Sequence, residues 1–132
     1  MLKKTITYVD YNDEERTEDF YFNLSKAELV DWEMSKHGGL SGSLKRIVAS
    51  KDAPALNKAF KEVILKAYGE KSEDGKRFIK SEELSTAFYQ TEAYSVLYME
   101  LIANDGAGFV EFVEQIMPKD LREQSKTQSA NK

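Results

Sequence analysis

Several features are scarce or absent in this 132-residue chain. It has no cysteine, which excludes a disulfide framework, a thiolate nucleophile and any cysteine-ligated zinc or iron–sulfur site. It has one histidine, His37, so no pair of imidazoles can bind a metal or relay a proton. We therefore expect no metal and no other cofactor.

Long apolar runs are also missing. No run approaches the roughly 20 residues that a membrane-spanning helix needs, and the first eight residues lack the apolar segment of a signal peptide. We therefore expect a cytoplasmic location and no membrane partner. The 19 basic residues are outnumbered by 23 acidic ones, and the resulting net charge of −4 opposes the attraction to phosphate that dominates nucleic-acid binding. A nucleic-acid partner is disfavoured.

The residues that are present favour one globular domain. Hydrophobic residues make up 41% of the chain and aromatic residues 11%, which is enough for a core in a chain of this length. We predict a single domain over residues 1–118, with a hairpin in residues 2–22 and a helical part in residues 25–117. Residues 119–132 are almost entirely polar and are predicted to form a flexible tail.

The N-terminal part reads as two strands. Residues 2–9 and 16–22 are rich in β-branched and aromatic types, and the polar residues between them have the length of a turn that joins antiparallel neighbours. An isolated hairpin is only marginally stable, so its apolar face must be covered by other parts of the protein. The side chains expected on that face are Ile6, Tyr8, Phe20 and Phe22.

The remainder reads as helices. Ser25 and Glu28 have the spacing of a capping box, which predicts a helix from Ser25 to Lys36 or His37. Further helices are predicted over residues 43–50, from Asp52 until Gly69 closes the helix, from Ser81, from near Thr91 to residues 104–106, and over residues 107–117. The polar residues 70–77 are expected to form a loop. The predicted fold class is α+β, a hairpin followed by an irregular bundle of five to six helices and a disordered tail.

Two features invite a catalytic or metal-binding interpretation. His37 precedes two glycines, where a cation stabilises a helix C-terminus, but a small metal-dependent or hydrolytic enzyme using His37 and the carboxylates of residues 70–83 is an alternative function. Residues 70–81 resemble a calcium loop with Gly75 at the invariant glycine. Ser81 stands where the closing bidentate glutamate belongs, so a surface loop is predicted instead.

Aromatic and apolar side chains are concentrated in the C-terminal third. Tyrosine and phenylalanine are enriched where one protein buries itself on another, so we predict a partner-binding surface there. Core packing is the alternative interpretation for each residue. The predicted binding residues are Tyr94, Tyr98, Phe109, Phe112, Ile116 and Met117.

Three strings, at residues 17–28, 66–80 and 91–94, resemble the tail assembly chaperones of long-tailed, siphovirus-type bacteriophages. The resemblance extends over residues 5–118. It implies a non-enzymatic protein of the host bacterial cytoplasm that binds and solubilises the tape measure protein, helps to recruit tail tube subunits and is not retained in the mature virion. It also implies the short form of a chaperone for which a longer, frameshifted form is common. A structural or inhibitory adaptor of the virion is a further alternative.

Coating a long rod favours several copies of the coat protein, because linked weak contacts gain from a high effective concentration. We therefore expect self-association, with the edge of the hairpin and the helix from Phe109 to Met117 as candidate surfaces.

Overall fold

The computed structural model describes residues 1–35 and 51–118. In these two ranges the chain forms one four-stranded sheet and four helices. In chain order the elements are β1 (Leu2–Val9), β2 (Glu15–Phe22), α1 (Lys26–Ser35), α2 (Ala53–Ala67), β3 (Tyr68–Lys71), β4 (Phe78–Ile79), α3 (Glu82–Tyr89) and α4 (Glu92–Ile116). The predicted α+β class with an N-terminal antiparallel hairpin is confirmed.

The hairpin forms as its residue pattern predicts. β1 pairs with β2 without a bulge, from Leu2 opposite Phe22 to Val9 opposite Glu15. The turn is fixed by Asp10, whose Oδ1 accepts hydrogen bonds from two backbone N–H groups of the turn. The predicted inner face is confirmed: Ile6 and Phe22 are buried, while Tyr8 and Phe20 are partly buried against the core.

The sheet is larger than the sequence pattern indicates. α2 ends at Ala67, whose carbonyl accepts from Asn23 N, and the chain continues directly as β3, with Tyr68 opposite Phe22 and Gly69 opposite Tyr21. The prediction that Gly69 closes α2 is therefore wrong. The predicted loop over residues 70–77 is only partly correct, since β3 extends to Lys71 and pairs with β4. β3 pairs with the end of β2 and β4 pairs with β3, and strands of two to four residues carry almost no periodicity of their own.

The N-terminus of α1 has the predicted capping box. Ser25 N donates to Glu28 Oε1 at 2.9 Å, and Glu28 N donates to Ser25 Oγ at 3.2 Å. Glu28 also accepts from Lys80 Nζ at 2.5 Å, and the same ammonium donates to the Asn23 carbonyl at 2.7 Å. Lys80 thus joins the start of α3 to the segment between β2 and α1.

α2 has the predicted amphipathic pattern. Asp52 caps its first turn by accepting from Ala55 N, and Pro54 lies in the first turn, where its missing N–H leaves no helical bond unmade. The predicted stripe faces inward: Leu56 is partly buried, and the buried members are Ala59, Phe60, Val63, Ile64 and Ala67.

α4 runs from Glu92 to Ile116, but the chain turns back on itself within it. Gly106 has φ +83°, and a Cβ placed on Gly108 would lie 3.3 Å from the Leu101 Cα. Residues seven apart in a straight helix are about 10 Å apart along its axis, so α4 must fold back near Gly106. We call residues 92–105 the first arm and residues 107–116 the second arm. The predicted break at residues 104–106 thus coincides with a sharp turn, although the helix does not end there.

A cluster of aromatic rings joins the sheet to the helices. The Phe22 ring lies 5.3 Å from the Phe112 ring and 5.7 Å from the Phe88 ring, measured between centroids. Phe88 in turn stacks on Tyr68 at 4.3 Å. The hairpin, β3, α3 and the second arm of α4 therefore share one core.

Some predictions fall outside the described residues. They are the helix over residues 43–50, the position of His37 and the flexible tail over residues 119–132. The division into a domain over residues 1–118 and a tail stays a prediction.

Candidate partner-binding groove

The six predicted binding residues all lie on α4 or directly after it, but in different environments. Tyr94 and Tyr98 are on the first arm, where Tyr94 is 8% exposed and Tyr98 is partly exposed. Met117, after the second arm, is partly buried. The other three, Phe109, Phe112 and Ile116, are between 0% and 3% exposed.

The buried three make contacts typical of a core. Phe109 stacks on Phe60 of α2 with ring centroids 3.9 Å apart, and the Ile116 carbonyl accepts from Leu24 N at 2.9 Å. Phe112 and Ile116 are packed in the core, whereas Phe109 stacks on Phe60 and also contributes to the lining of a groove. The prediction of a six-residue binding surface stays a prediction, and the geometry directs attention to Tyr98 and the side chains around it.

Tyr98 forms one wall of an open groove of about 720 Å³. The groove lies where the turn of α4 meets the N-terminal half of α2, so it exists because α4 folds back. Its lining is mainly aromatic and aliphatic: Lys51, Ala53, Leu56, Asn57, Phe60, Tyr98, Ile102, Gly106, Phe109 and Val110. Val110, on the second arm, is 58% exposed. We call this site the apolar groove.

A row of tyrosines leads into the apolar groove. The Tyr89 and Tyr94 rings are 4.9 Å apart and nearly perpendicular, and the Tyr94 and Tyr98 rings are 6.0 Å apart. Tyr89 is 40% exposed, and Lys61 of α2 places its ammonium 4.0 Å from the centre of that ring. We call these three rings the tyrosine seam. Tyr98 belongs to both the seam and the groove, while the Tyr94 ring between Tyr98 and Tyr89 is buried.

Tyr94 and Tyr98 have raised pKa values, so their hydroxyls stay neutral at physiological pH. Burial raises the pKa of Tyr94 to about 12, with a smaller contribution from its tyrosine neighbours. Burial also raises the pKa of Tyr98, whose hydroxyl donates to Asn57 Oδ1. Neutral hydroxyls next to apolar carbon can donate and accept hydrogen bonds at the edge of a protein contact.

The structure does not assemble a metal site from the predicted loop. Residues 72–77 form the turn between β3 and β4, in which Asp74 Oδ1 accepts from Ser72 Oγ and from Lys76 N. Within residues 1–35 and 51–118, no group of three or more histidine, aspartate or glutamate side chains could hold a metal ion. His37 lies outside these ranges, so the geometry of the enzyme alternative is not described.

Two smaller cavities are more polar. One, of about 400 Å³, lies where β2 and β3 diverge and is lined by Glu18, Asp19, Glu70 and Lys71 among others. The other, of about 260 Å³, lies between the start of β1 and α4. The first also has Phe20, Tyr21 and Tyr68 in its lining, but it combines them with four charged residues. In the described part of the chain, no helix combines the length and the apolarity needed to cross a membrane.

These features define the class of the protein: a small α+β domain with an open, aromatic-walled groove between helices. The chain belongs to the phage tail assembly chaperone family, whose family model matches residues 1–132, the whole sequence. The family predicted from the resemblance is therefore confirmed. No curated protein and no solved structure gives a significant match. Membership places the chain among proteins whose partners are other proteins of phage tail assembly.

Sequence reasoning missed most of the groove. The groove takes Leu56 and Phe60 from the apolar stripe of α2, and it takes Ile102 and Val110 from the two arms of α4. The available signal was the break predicted at residues 104–106, since helices on either side of a tight turn pack against each other. That signal indicates two adjacent arms but does not show which side chains line the space between the arms and α2.

Proposed function

We propose that this chain is the short form of a tail assembly chaperone that binds and solubilises the tape measure protein of its phage and helps to recruit tail tube subunits. Its role in this proposal is protein binding and not catalysis. It acts in the cytoplasm of the infected bacterium and is absent from the finished virion. Family membership supports the role in tail assembly, and the apolar groove supports the mode of binding.

The observation that carries the proposal is the open apolar groove between α2 and the two arms of α4. An amphipathic helix binds by laying its apolar face into a groove, with anchors recurring every three to four residues. The surface between α2 and α4 offers Phe60 at its base, Val110 on one rim and Tyr98 on the other. Shielding the apolar face of a long helical client would keep that client soluble until tube subunits replace the chaperone.

The proposal is tested by co-expressing the chain with the tape measure protein of the same phage. We expect the soluble fraction of the tape measure protein to rise several-fold, and we expect the two proteins to co-purify. Val110→Asp should largely abolish this effect, because a carboxylate on the rim of the groove must be desolvated when the client helix binds.

The matched control is Val30→Asp. Val30 is also a helical valine, is 53% exposed against 58% for Val110, and does not line the groove. The Val30→Asp variant should raise the soluble fraction of the tape measure protein as much as the unmodified chain does. If the tape measure protein is no more soluble with the unmodified chain than without it, the chaperone assignment to this client is wrong.

We also propose that the chain self-associates through the outer edge of β1. In the described residues β1 is the first strand of the sheet order and pairs only with β2. It is eight residues long, regular in register and free of proline, so its outer edge resembles the edges that recruit further strands. Sedimentation velocity should show species above 15.1 kDa that decrease when Thr5 and Thr7 are replaced by lysine. A monomer at every concentration would contradict this.

The proposed absence from the virion is tested by mass spectrometry. Peptides of this chain should be found in the lysate of infected cells and should be missing from purified particles that contain tail tube protein. Their presence in purified tails at a fixed ratio to a known tail protein would favour the adaptor alternative.

A further inference from the structure

The two arms of α4 keep one apolar stripe in phase across the turn at Gly106. At 3.6 residues per turn, the buried residues of both arms would fall within about a third of the circumference of a single straight helix. They are Tyr94, Leu97, Leu101, Phe109, Phe112 and Ile116. Two helices that merely follow one another in a chain need not share a phase. The sequence of α4 therefore suits one continuous amphipathic helix as well as the folded-back form.

Gly106 holds the folded-back form in a conformation that most residues avoid. Its φ of +83° lies in the left-handed region, which glycine adopts freely and alanine does not. The space around Gly106 is open, since the nearest described atom to an added Cβ would be Cζ of Phe60 at 3.9 Å, an ordinary contact distance. Backbone conformation, and not crowding, therefore makes glycine suitable at this position.

The second arm is held by contacts that a second copy of the chain can supply equally well. Phe109 stacks on Phe60 of α2, and the Phe112 ring lies 5.3 Å from the Phe22 ring of β2. Both partners belong to elements that precede α4, and the second arm ends the last helix of the described chain. The arm can therefore leave its place without displacing another described element, and an identical arm from a second copy restores the same contacts.

We propose that α4 straightens at Gly106 and exchanges its second arm between two copies of this chain, which form a symmetric dimer. Each second arm then packs against α2 and the sheet of the other copy. The apolar groove of such a dimer is built from two chains, because Leu56 and Phe60 come from one copy while Phe109 and Val110 come from the other. The inference goes beyond the proposed function and does not depend on the identity of the client.

The backbone at Gly106 controls the balance between the two forms. Exchange replaces contacts within one chain by the same contacts between two chains, so the forms differ mainly at the turn and in the entropy that association costs. Alanine at position 106 disfavours the left-handed turn by about tenfold relative to glycine, and it also favours a straight helix. Each dimer contains two straightened turns, so the effect of alanine on dimerisation is counted twice.

The test measures dimerisation of the full chain by size-exclusion chromatography with light scattering over a range of protein concentrations. We expect the dissociation constant of the dimer to fall by about a hundredfold in Gly106→Ala, as two tenfold effects multiply. Gly106→Asn should lower it by less, because asparagine tolerates the left-handed region better than alanine does. This second variant also keeps the test available if Gly106→Ala does not fold, which circular dichroism melting curves would show.

The matched control is Gly75→Ala. Gly75 also has a positive φ, of +74°, and an added Cβ there would meet no described atom within 4 Å. The substitution therefore carries the same kind of backbone penalty, but it lies in the turn between β3 and β4, where no helix can form by straightening. It should lower stability and leave the dissociation constant of the dimer unchanged.

Two further measurements distinguish exchange of the second arm from other kinds of association. Backbone amides of residues 105–108 should exchange hydrogen more slowly in the Gly106→Ala dimer than in the monomer, because straightening places them in regular helical hydrogen bonds. The dimer should also persist when Thr5 and Thr7 are replaced by lysine, the changes that oppose association through the edge of β1.

The inference is overturned if neither Gly106→Ala nor Gly106→Asn lowers the dissociation constant, or if Gly75→Ala lowers it equally. A dimer whose amides at residues 105–108 exchange as fast as those of the monomer would also overturn it, because α4 would then still be folded back. Loss of the dimer on replacement of Thr5 and Thr7 would assign the association to the β1 edge instead. Failure of the proposed function is read separately, from the solubility of the tape measure protein.

Discussion

Gly108 lies against the backbone of Leu101, on the other arm of the same helix. A Cβ added to Gly108 would stand 3.0 Å from the Glu100 carbonyl oxygen and 3.3 Å from the Leu101 Cα. This approach brings the two arms of α4 side by side, and it places Ile102 of the first arm and Val110 of the second around the same groove. The candidate site therefore depends on a residue that does not line it.

Gly108→Val should disrupt this approach. Two branched methyl groups have no space beside Leu101, so we expect the free energy of unfolding to fall by about 2 kcal/mol, measured by urea denaturation. The control is Ala107→Val, which adds a branched side chain at the neighbouring, exposed position of the same arm. Its effect should stay within about 0.5 kcal/mol. Equal losses for the two variants would show that valine propensity, and not the close contact, is responsible.

The stack between Phe60 and Phe109 indicates that Phe109 acts in core packing, whereas the sequence analysis predicts that it binds a partner. Its ring is 3% exposed and lies 3.9 Å from the Phe60 ring, so Phe109→Ala should lower the free energy of unfolding by about 3 kcal/mol. Val110→Asp, at the exposed next position, should cost much less stability and should abolish client binding instead.

The two variants are compared by thermal melting and by capture of the tape measure protein. A Phe109→Ala variant that melts like the unmodified chain but no longer captures the client would show that Phe109 acts at the surface. That result would support the surface predicted from the sequence over the packing seen in the fold.

Much of the fold follows from local signals. Three features can be predicted from the sequence because each involves residues only a few positions apart. They are the Ser25–Glu28 capping box, the Asp10 turn and the apolar stripe of α2. β3 is different, because its pairing depends on where the end of β2 lies in space. Gly69 illustrates the difference: it reads as a helix terminator, but it forms part of a strand.

The candidate site was less predictable than the fold. Aromatic enrichment singles out Tyr98, but it cannot separate Tyr98 from Phe109, since both are large aromatic residues on α4. Their different exposure follows from how α4 folds back onto α2, which is a tertiary property.

Lys80 and Glu28 form a partly buried ion pair that joins α3 to α1. Lys80→Met removes the ammonium that binds both Glu28 and the Asn23 carbonyl, so the free energy of unfolding should fall by about 1 to 2 kcal/mol. Glu28→Gln keeps an amide oxygen for the capping box and should cost less. In a double-mutant cycle the two changes should be less than additive, because both remove one interaction. Strict additivity would contradict the coupling.

The Lys80–Glu28 pair also predicts that the stability of the fold decreases at acidic pH. Burial alone would raise the pKa of Glu28, but the hydrogen bonds from Lys80 and Ser25 outweigh it and hold the pKa below its ordinary value. A carboxylate with a lowered pKa stabilises the fold above the ordinary carboxyl pKa, and that contribution is lost as the pH falls through the lowered value. The stability difference between the unmodified chain and Glu28→Gln should therefore shrink on acidification, as measured by urea denaturation at several pH values. A difference that stays constant would exclude this linkage.

Tyr94 predicts the opposite behaviour at alkaline pH. Burial raises its pKa from the ordinary 10.0 to about 12, so between these values the folded chain keeps a proton that the unfolded chain releases. Stability that is complete below the ordinary pKa is therefore lost as the pH rises through this window. The Tyr94→Phe variant has no titrating hydroxyl at this position. Between about pH 9 and about pH 11 its free energy of unfolding should therefore decline by about 1 kcal/mol less than that of the unmodified chain, after allowance for partial solvation.

The control for Tyr94→Phe is Tyr89→Phe, which removes the hydroxyl of the 40% exposed ring at the other end of the same contact. It should keep the steep alkaline decline of the unmodified chain, measured by urea denaturation over the same pH range. If Tyr94→Phe declines as steeply as Tyr89→Phe, the Tyr94 hydroxyl is solvated in the folded state. Solvent would then reach the centre of the tyrosine seam as well as Tyr89, because it is the burial of Tyr94 that raises the pKa of Tyr94.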